Sequence, residues 1–372
     1  MKSWVKIILI NAAVTLALLL SLNAVCEIAV VGWKSIYIAK SDPRADLPAI
    51  ANRARARTFF SEYHQLETQY APFVDWSYAP FSGTAINIDQ HGRRRTVGPD
   101  KGLTVHLFGG SAMWGTGVWD AETIPSTLTR ALPGIQAVNH GQSAYVSRQG
   151  LIALMSVLNS YDPIDAAVFY DGANDVQVLC QVAASVNGHD QEAQMFDTMR
   201  RRTQRDQGAF RDMFFSGMLQ FTNIISDKLR SMSHASPSQT CVGNPKRAKQ
   251  IADAWWSNWL AARSILSDRG IPFLAVLQPV AGFGHPNISY LQTIEVAPAE
   301  YEAVYPLIRE KMGAHSGWTL DLSEVFDGDE PRFIDWAHVS PEANTIIAER
   351  IATKLRTLIA AQFGEQALPK NR

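Results

Sequence analysis

Four short blocks of this sequence carry side chains that together could cleave an ester bond. They are Gly109-Gly110-Ser111, Asn139-His140-Gly141, Gly172-Ala173-Asn174-Asp175 and Asp335-Trp336-Ala337-His338. A serine hydroxyl is a weak nucleophile until a base takes its proton, and histidine is the natural base near neutral pH. We therefore predict Ser111 as nucleophile and His338 as base. Asp335, three residues before His338, is predicted to hold the other imidazole nitrogen and to stabilise the imidazolium.

Acyl transfer also needs hydrogen-bond donors for the oxyanion, and the blocks offer three. We predict the backbone N–H groups of Ser111 and Gly141 and the side-chain amide of Asn174 in this role. Loss of one such donor typically costs about 2.7–4 kcal/mol of transition-state stabilisation. Each piece alone has a plainer explanation: a tight turn at Gly141, a capping loop residue at Asn174, and a surface pair ahead of a helix at Asp335 and His338. Their joint occurrence favours the catalytic interpretation.

Aromatic residues close to these blocks could line a pocket, although packing is the commoner role for such side chains. They are Trp114, His140 and Tyr145.

The elements that must position the blocks alternate between strand and helix from about Lys101 onward. This alternation predicts a parallel sheet covered by helices on both faces. In open α/β sheets ligands bind beyond the carboxyl ends of the strands, so the first three blocks should meet there, within reach of the Asp335–His338 loop. The predicted strands are Thr104–Phe108, Gln136–Asn139, Ala166–Tyr170, Phe273–Leu277 and Thr319–Leu322. The predicted helices are Ala121–Leu132, Arg148–Ser160, Pro245–Asp268, Pro298–Met312 and Pro341–Phe363.

With its four blocks in this order, the chain resembles the SGNH (GDSL-type) hydrolases, in a membrane-anchored bacterial form. The resemblance covers roughly Lys101 to Phe363. It implies a flavodoxin-like three-layer α/β/α fold and Ser–His–Asp ester hydrolysis without metal or cofactor. Two positions depart from the family pattern. Gly110 stands where the family has aspartate, so we expect altered loop support, and Ala144 replaces a frequent glycine, which we expect to narrow the pocket.

Two other enzyme classes fit the sequence poorly. The ordinary α/β-hydrolase motif G-x-S-x-G is broken because Met113 fills its last place. A zinc site is not expected, since neither the HExxH nor the CxxC spacing occurs.

The N-terminus carries an almost uninterrupted apolar run from Ile7 to Cys26, preceded by Lys2 and Lys6. A run of about 20 apolar residues can cross a bilayer as a helix, and flanking positive charge favours a cytoplasmic N-terminus. We predict a single-pass membrane protein with its catalytic domain on the extracytoplasmic side. A cleaved signal peptide is the alternative, although the run is longer than an ordinary signal h-region.

The sequence suggests three regions. Residues 1–32 form the predicted transmembrane anchor, 33–100 an extension with short strands, and 101–372 the SGNH hydrolase-like domain, with an insertion at 181–244. The insertion is predicted to be partly helical, over Phe210–Leu229. Cys180 and Cys241 bracket most of it, and an oxidising compartment would permit a disulfide between them; two free thiols are the alternative.

Charge excludes one class of partner. Lys and Arg number 34 against 35 Asp and Glu, for a net charge of −1, so nothing favours a basic face for nucleic acid. The expected partners are an acylated small molecule or carbohydrate and, through the N-terminal helix, a membrane.

These observations predict an extracytoplasmic serine esterase or deacetylase. Acyl groups on cell-envelope carbohydrate are the expected substrates, on the grounds of topology and family resemblance. One alternative keeps the Ser–His–Asp set but passes the acyl group to a sugar hydroxyl, as a carbohydrate O-acyltransferase. Another is a non-catalytic carbohydrate-binding or assembly module with the same fold.

Overall fold

The computed structural model describes residues 2–39, 42–160, 162–180, 189, 215–222, 224–225, 241–291 and 298–369. The chain forms two compact units. The first comprises Met1–Lys40 and Ala193–Ser238, and the second comprises Ser41–Glu192 and Gln239–Arg372.

The first unit is built on helix α1, which runs from Lys2 to Ala39. Its segment Ser3–Gly32 contains an 18-residue window with a mean hydropathy of 2.3 and is long and apolar enough to serve as a membrane span or a signal sequence. A helix at 215–222 packs against it, with the Met218 N–H donating to Asn23 Oδ1 at 3.1 Å. This helix falls in the predicted Phe210–Leu229 stretch; apart from it and residues 224–225, that stretch lies outside the described residues.

The second unit begins with small elements that precede the main sheet. A 3-10 turn at Pro43–Asp46 leads into helix α2 (Arg53–Tyr63). Two antiparallel pairs follow, each made of neighbouring strands. The first pair is β1 (Thr68–Ala71) with β2 (Asp75–Tyr78), and the second is β3 (Phe81–Ser82) with β4 (Asn87–Ile88).

The main sheet has five parallel strands: β5 (Leu103–Gly109), β6 (Ile135–Asn139), β7 (Ala166–Asp171), β8 (Phe273–Leu277) and β9 (Thr319–Asp321). Their order across the sheet is β6-β5-β7-β8-β9. Numbered from its own first strand, this order is 2-1-3-4-5, the flavodoxin-like arrangement. Each strand lies where the sequence predicted one, so the predicted fold class is confirmed.

Helices cover both faces of this sheet. They are α3 (Ser111–Trp114), α4 (Ile124–Ala131), α5 (Ser147–Asn159), α6 (Ala173–Leu179), α7 (Pro245–Asp268), α8 (Pro298–Gly313) and α9 (Pro341–Phe363). Side chains in the strands alternate between the two faces. In β7, Ala167 and Phe169 pack with α5, α7 and α8, whereas Val168 and Tyr170 pack with α4 and α9 on the other face.

Local capping explains where these helices begin. Ser340 accepts a hydrogen bond from the Ala343 N–H at the start of α9, as its Ser-Pro sequence predicts. Helix α4 starts later than predicted. Thr123 caps it by accepting from Ser126 N–H, and residues Asp120–Glu122 form a separate 3-10 turn. Proline at the second helical position, Pro125, fits this start.

Cys180 and Cys241 form a disulfide, with their Cα atoms 5.3 Å apart. Of the two alternatives left by the sequence, the structure has the disulfide. It joins the end of α6 to the chain just before α7, and so closes the base of the predicted insertion. The third cysteine, Cys26, is free.

Candidate active site

The turn after β5 places Ser111 at the carboxyl edge of the sheet. Gly109 has a φ of 155°, and a Cβ there would lie 2.4 Å from the Tyr170 carbonyl oxygen. A Cβ on Gly110 would lie 2.3 Å from Asn174 Nδ2. The two glycines therefore allow β5 to approach the end of β7 and let the Asn174 amide come up beside Ser111.

The side chains of Ser111, His338 and Asp335 form a continuous hydrogen-bonded chain. His338 Nε2 lies 2.6 Å from Ser111 Oγ, and His338 Nδ1 lies 2.7 Å from Asp335 Oδ2. His338 and Asp335 are each only 8% exposed, whereas Ser111 is partly exposed. With the Nδ1–H donating to the carboxylate, Nε2 is free to accept the serine proton, as a general base must. The residues predicted from the sequence are thus brought together.

The loop that carries the histidine is closed on itself. Asp335 Oδ1 accepts hydrogen bonds from the backbone N–H groups of Ala337 at 3.0 Å and His338 at 2.8 Å. The Ile334 N–H donates to the His338 carbonyl at 2.8 Å. These bonds fix the imidazole relative to the carboxylate before any substrate arrives.

Asp335 also contacts Arg44, a residue that the sequence analysis did not single out. Arg44 Nη1 donates to Asp335 Oδ2 at 3.0 Å. Burial by itself would raise the pKa of Asp335, but its interaction and hydrogen bond with His338 and the charge of Arg44 outweigh burial and hold that pKa well below its usual range. Asp335 therefore stays ionised. The two residues are 291 positions apart, so no local spacing could have revealed their contact.

The three predicted oxyanion donors are not equally available. The Gly141 N–H already donates to Asn139 Oδ1 at 2.9 Å. Asn174 Nδ2 donates one hydrogen to the Tyr145 carbonyl at 2.9 Å, which leaves its second hydrogen for a ligand. Ser111 N–H is the first in helix α3 and has no partner within that helix. Ser111 and Asn174 thus fit the predicted role, whereas Gly141 would have to give up its present bond.

Ala144 offers a donor that the sequence analysis did not name. It adopts a φ of 58°, in the left-handed region that favours glycine, and its N–H has no hydrogen-bond partner among the described residues. The carbonyl of the next residue, Tyr145, accepts from Asn174 and would lie 3.3 Å from a Cβ on Gly110. The Ala144 loop therefore runs beside Ser111. The only signal in the sequence was alanine at a position where the SGNH hydrolases, which the sequence resembles, often have glycine.

The three aromatic residues named as candidates for lining a pocket, Trp114, Tyr145 and His140, make packing contacts and hydrogen bonds within the fold. Trp114 is fully buried and packs against α2, and Tyr145 is 3% exposed with its hydroxyl donating to the Trp76 carbonyl. His140 Nε2 lies 2.8 Å from His106 Nδ1, and burial pulls the pKa of His140 well below its usual value. Packing accounts for all of them.

Two buried carboxyl groups, Asp171 and Asp175, lie next to Asn174 at the start of α6. Asp175 accepts from the hydroxyl of Ser147 at 2.6 Å, and Asp171 accepts from Trp259 Nε1 at 2.8 Å. Burial raises the pKa of Asp175 to about 6, and burial together with the Asp175 charge raises the pKa of Asp171 well above its usual value. Through these hydrogen bonds, Asp175 connects α6 to α5, and Asp171 connects the end of β7 to α7, close to Asn174.

Among the described residues, one group of side chains is close enough to share a metal ion: Cys180, Cys241 and Glu300. Two of its members form the disulfide, so neither can supply a thiolate.

No protein-family model and no curated protein matches the chain. It is similar in structure to a carbohydrate acetylesterase family member from Sinorhizobium meliloti, at 16% identity over 69% of this chain and 99% of that chain, with a TM-score of 0.37. It is similar to a member of the lipolytic protein G-D-S-L family from Veillonella parvula, at 10% identity over 68% of this chain and 97% of that chain, with a TM-score of 0.37. It is also similar to the aryl esterase of M. smegmatis, at 13% identity over 69% of this chain and 99% of that chain, with a TM-score of 0.37. Similarity this distant carries no information on substrate, and the chemistry of this chain has to be inferred from its own site.

Proposed function

We propose that this chain is a serine esterase of the SGNH type that acts on acyl esters. The observation that supports this most directly is the chain of hydrogen bonds from Ser111 Oγ through the His338 imidazole to the Asp335 carboxylate. A buried, ionised carboxylate oriented on a histidine that in turn contacts a part-exposed serine is what nucleophilic catalysis by serine requires.

In the proposed reaction, Ser111 Oγ attacks the acyl carbon while His338 Nε2 takes the hydroxyl proton. The resulting oxyanion is bound by Ser111 N–H and the Asn174 amide, and Ala144 N–H is a third donor in this proposal. His338 then gives its proton to the leaving alcohol oxygen, which leaves an acyl-Ser111 ester. Water attacks this ester while His338 takes its proton, and His338 then returns that proton to Ser111 Oγ as the acyl–Oγ bond breaks and the acid is released.

We further propose an extracytoplasmic location, with acylated cell-envelope carbohydrate as the substrate. The apolar N-terminal helix, preceded by Lys2, supports attachment to a membrane with the N-terminus in the cytoplasm. The disulfide between Cys180 and Cys241 supports an oxidising compartment for the second unit. Carbohydrate in the envelope is the acylated material such an enzyme would meet.

The test is labelling by a fluorophosphonate probe together with hydrolysis of short-chain acyl esters by the full chain in detergent. Wild type should be labelled and active, whereas Ser111→Ala should not be labelled and His338→Ala should lose about 10⁴-fold or more in kcat. Ser156, an exposed serine on α5, provides the matched control, because Ser156→Ala should behave as wild type. Undiminished labelling and turnover in Ser111→Ala would show the proposal to be wrong.

The same enzyme preparation can be used to distinguish an esterase from an O-acyltransferase and from a non-catalytic module. With a labelled acyl donor, an esterase releases free acid whether or not a sugar acceptor is present, whereas an O-acyltransferase forms acylated sugar. A wild-type chain that is neither labelled nor active would instead favour a non-catalytic carbohydrate-binding module.

A further inference from the structure

The connector (residues 42–52), which leads from the N-terminal helix to α2, reaches the proposed catalytic acid. Arg44 lies in its 3-10 turn, shortly after α1 ends at Ala39. Its guanidinium donates through Nη1 to Asp335 Oδ2 at 3.0 Å. It also donates through Nε and Nη2 to the two carboxylate oxygens of Asp42, at 3.0 and 2.9 Å. One planar group therefore joins the connector to the acid that holds His338.

The guanidinium is held in place by its surroundings. Its fork-like pairing with Asp42 fixes the plane of the group, and Asp42 in turn caps the turn by accepting from the Arg44 N–H at 3.0 Å. The guanidinium carbon lies 4.5 Å from the centroid of the Phe60 ring, and His64 Nε2 lies 3.3 Å from Asp42 Oδ2. A group fixed this way loses little conformational freedom when it binds a second carboxylate.

The hydrogen bonds of Asp335 show what Arg44 contributes. Oδ1 accepts two backbone N–H groups and also lies 2.8 Å from His338 Nδ1, so it is fixed within its own loop. Oδ2, in contrast, has only His338 Nδ1 and Arg44 as hydrogen-bond partners in the described part of the chain. Without Arg44 the carboxylate could rotate about its Oδ1 bonds and present a different geometry to the imidazole.

We propose that Arg44 is a positioning residue for the Asp335–His338 pair, and that the connector is therefore a working part of the active site. This inference rests on the proposed function, because it assigns Arg44 a role in the same reaction. Arg44 touches neither the substrate nor Ser111 in this role. It fixes the carboxylate, which fixes the imidazole, which takes the serine proton.

The first experiment measures short-chain ester hydrolysis by the full chain in detergent, with Arg44→Ala, Arg44→Lys and Arg57→Ala. Arg57 is the matched control, because it pairs with Asp46 of the same turn at 2.7 Å but is largely exposed. Arg44→Ala should lower kcat about 10–100-fold, because a slight misplacement of a catalytic group can cost up to about 10²-fold, with KM changed less than about twofold. Arg44→Lys should fall between, and Arg57→Ala should stay within about twofold of wild type.

Chemical rescue distinguishes positioning from general support of the fold. The Arg44 side chain is 25% exposed, so a small cation can enter the space that Arg44→Ala leaves. Added guanidinium at millimolar concentration should restore much of the lost kcat of Arg44→Ala. Sodium chloride at the same ionic strength should not, and neither salt should rescue His338→Ala. A fall in kcat without rescue, in a variant with unchanged thermal stability, would overturn the inference, as would an unchanged kcat.

Asp42→Asn provides a second variant in case Arg44→Ala does not fold. Asparagine can still cap the turn through its side-chain oxygen, but it no longer forms the ionic fork with Arg44. Its kcat should fall less than that of Arg44→Ala, and kcat equal to wild type would count against the inference. Failure of the proposed function itself is recognised separately, because either wild type would then be inactive or Ser111→Ala would keep wild-type activity, whatever Arg44 does.

Discussion

Gly110 lies directly before the proposed nucleophile Ser111. The SGNH hydrolases, which the sequence resembles, carry aspartate at this position. The sequence predicted altered loop support there. In the structure a Cβ at position 110 would lie 2.3 Å from Asn174 Nδ2, closer than nonbonded atoms can come. Because position 110 has no side chain, the Asn174 amide can approach the serine. The hydrogen bond from Ser147 to Asp175 fixes the first turn of α6, which carries Asn174.

Gly110→Ala should therefore disable the site while leaving the fold intact. The added methyl group must displace the Asn174 amide, so kcat for ester hydrolysis should fall about 10²–10³-fold, as for loss of one oxyanion donor. Asn174→Ala should show a similar loss, and combining the two changes should add little, because they remove the same interaction. Gly317→Ala is the control, since a Cβ there meets nothing within 4 Å. An active Gly110→Ala enzyme would contradict this account of Asn174.

The buried carboxyl of Asp175 should make stability depend on pH. Burial raises its pKa to about 6, so the folded chain binds its proton more tightly than the unfolded chain does. Stability should therefore fall as pH rises from about 4 to about 6, and Asp175→Asn should make that fall smaller. Thermal unfolding midpoints across this range measure the effect. Parallel profiles for wild type and Asp175→Asn would contradict it, and exposed Asp329→Asn should keep the wild-type profile.

At the scale of elements, the loop after α3 is organised by a buried arginine from the segment that precedes the main sheet. Arg94 is 2% exposed and donates to Asp120 Oδ1 at 2.9 Å and to the Val118 carbonyl at 2.6 Å. Its guanidinium carbon also lies 4.3 Å from the centroid of the Trp114 ring, at the end of α3. The segment before residue 101 is therefore packed into the support of the helix that begins with Ser111.

Arg94→Ala should destabilise the fold by about 3–5 kcal/mol, because Asp120 is then left as a buried charge without its partner. The neighbouring Arg93 is a natural control. It pairs with Asp89 at 2.9 Å on the surface, so Arg93→Ala should cost less than about 1 kcal/mol. Thermal or denaturant unfolding of the two variants gives the comparison. Equal effects would mean that burial of the ion pair is not what stabilises this loop.

At the scale of the whole molecule, the disulfide links two cysteines that lie far apart in the sequence. Cys180 and Cys241 are separated by 61 positions in the sequence, and both lie in the second compact unit. A cross-link over such a length restricts the unfolded chain strongly and leaves the folded state little changed. The second unit should therefore depend on an oxidising environment for part of its stability.

Replacing both residues, by Cys180→Ser with Cys241→Ser, should lower the unfolding free energy by about 4 kcal/mol according to the chain-entropy relation. A reductant should shift the thermal midpoint of wild type toward that of the double variant and leave the double variant unchanged. Cys26→Ser, which removes the free cysteine, should have no such effect. A thiol count that finds all the cysteines free in denatured, unreduced protein would rule the disulfide out.

The sequence by itself determined the five strands of the main sheet and the helices α4, α5, α7, α8 and α9. The strands β5, β7 and β8 are buried, mostly apolar runs, and these helices have an apolar face, so the pattern that specifies them lies within a few consecutive residues. The short helices α3 and α6 were not predicted. The serine, asparagine and histidine blocks could be found for the same reason, since each directly follows a strand or precedes a helix. Their placement at one edge then followed from the alternation of strands and helices.

Only the tertiary structure decided how the candidate site is supported. The Arg44–Asp335 contact joins residues 291 positions apart in the sequence. The Gly141 N–H is bound by the Asn139 side chain, which takes it from the predicted oxyanion role. The left-handed conformation of Ala144 and the pairing of Cys180 with Cys241 likewise depend on which segments meet. A local pattern specifies an element, but hydrogen bonds between distant segments form only once packing has brought their partners together, so the sequence alone left them undetermined.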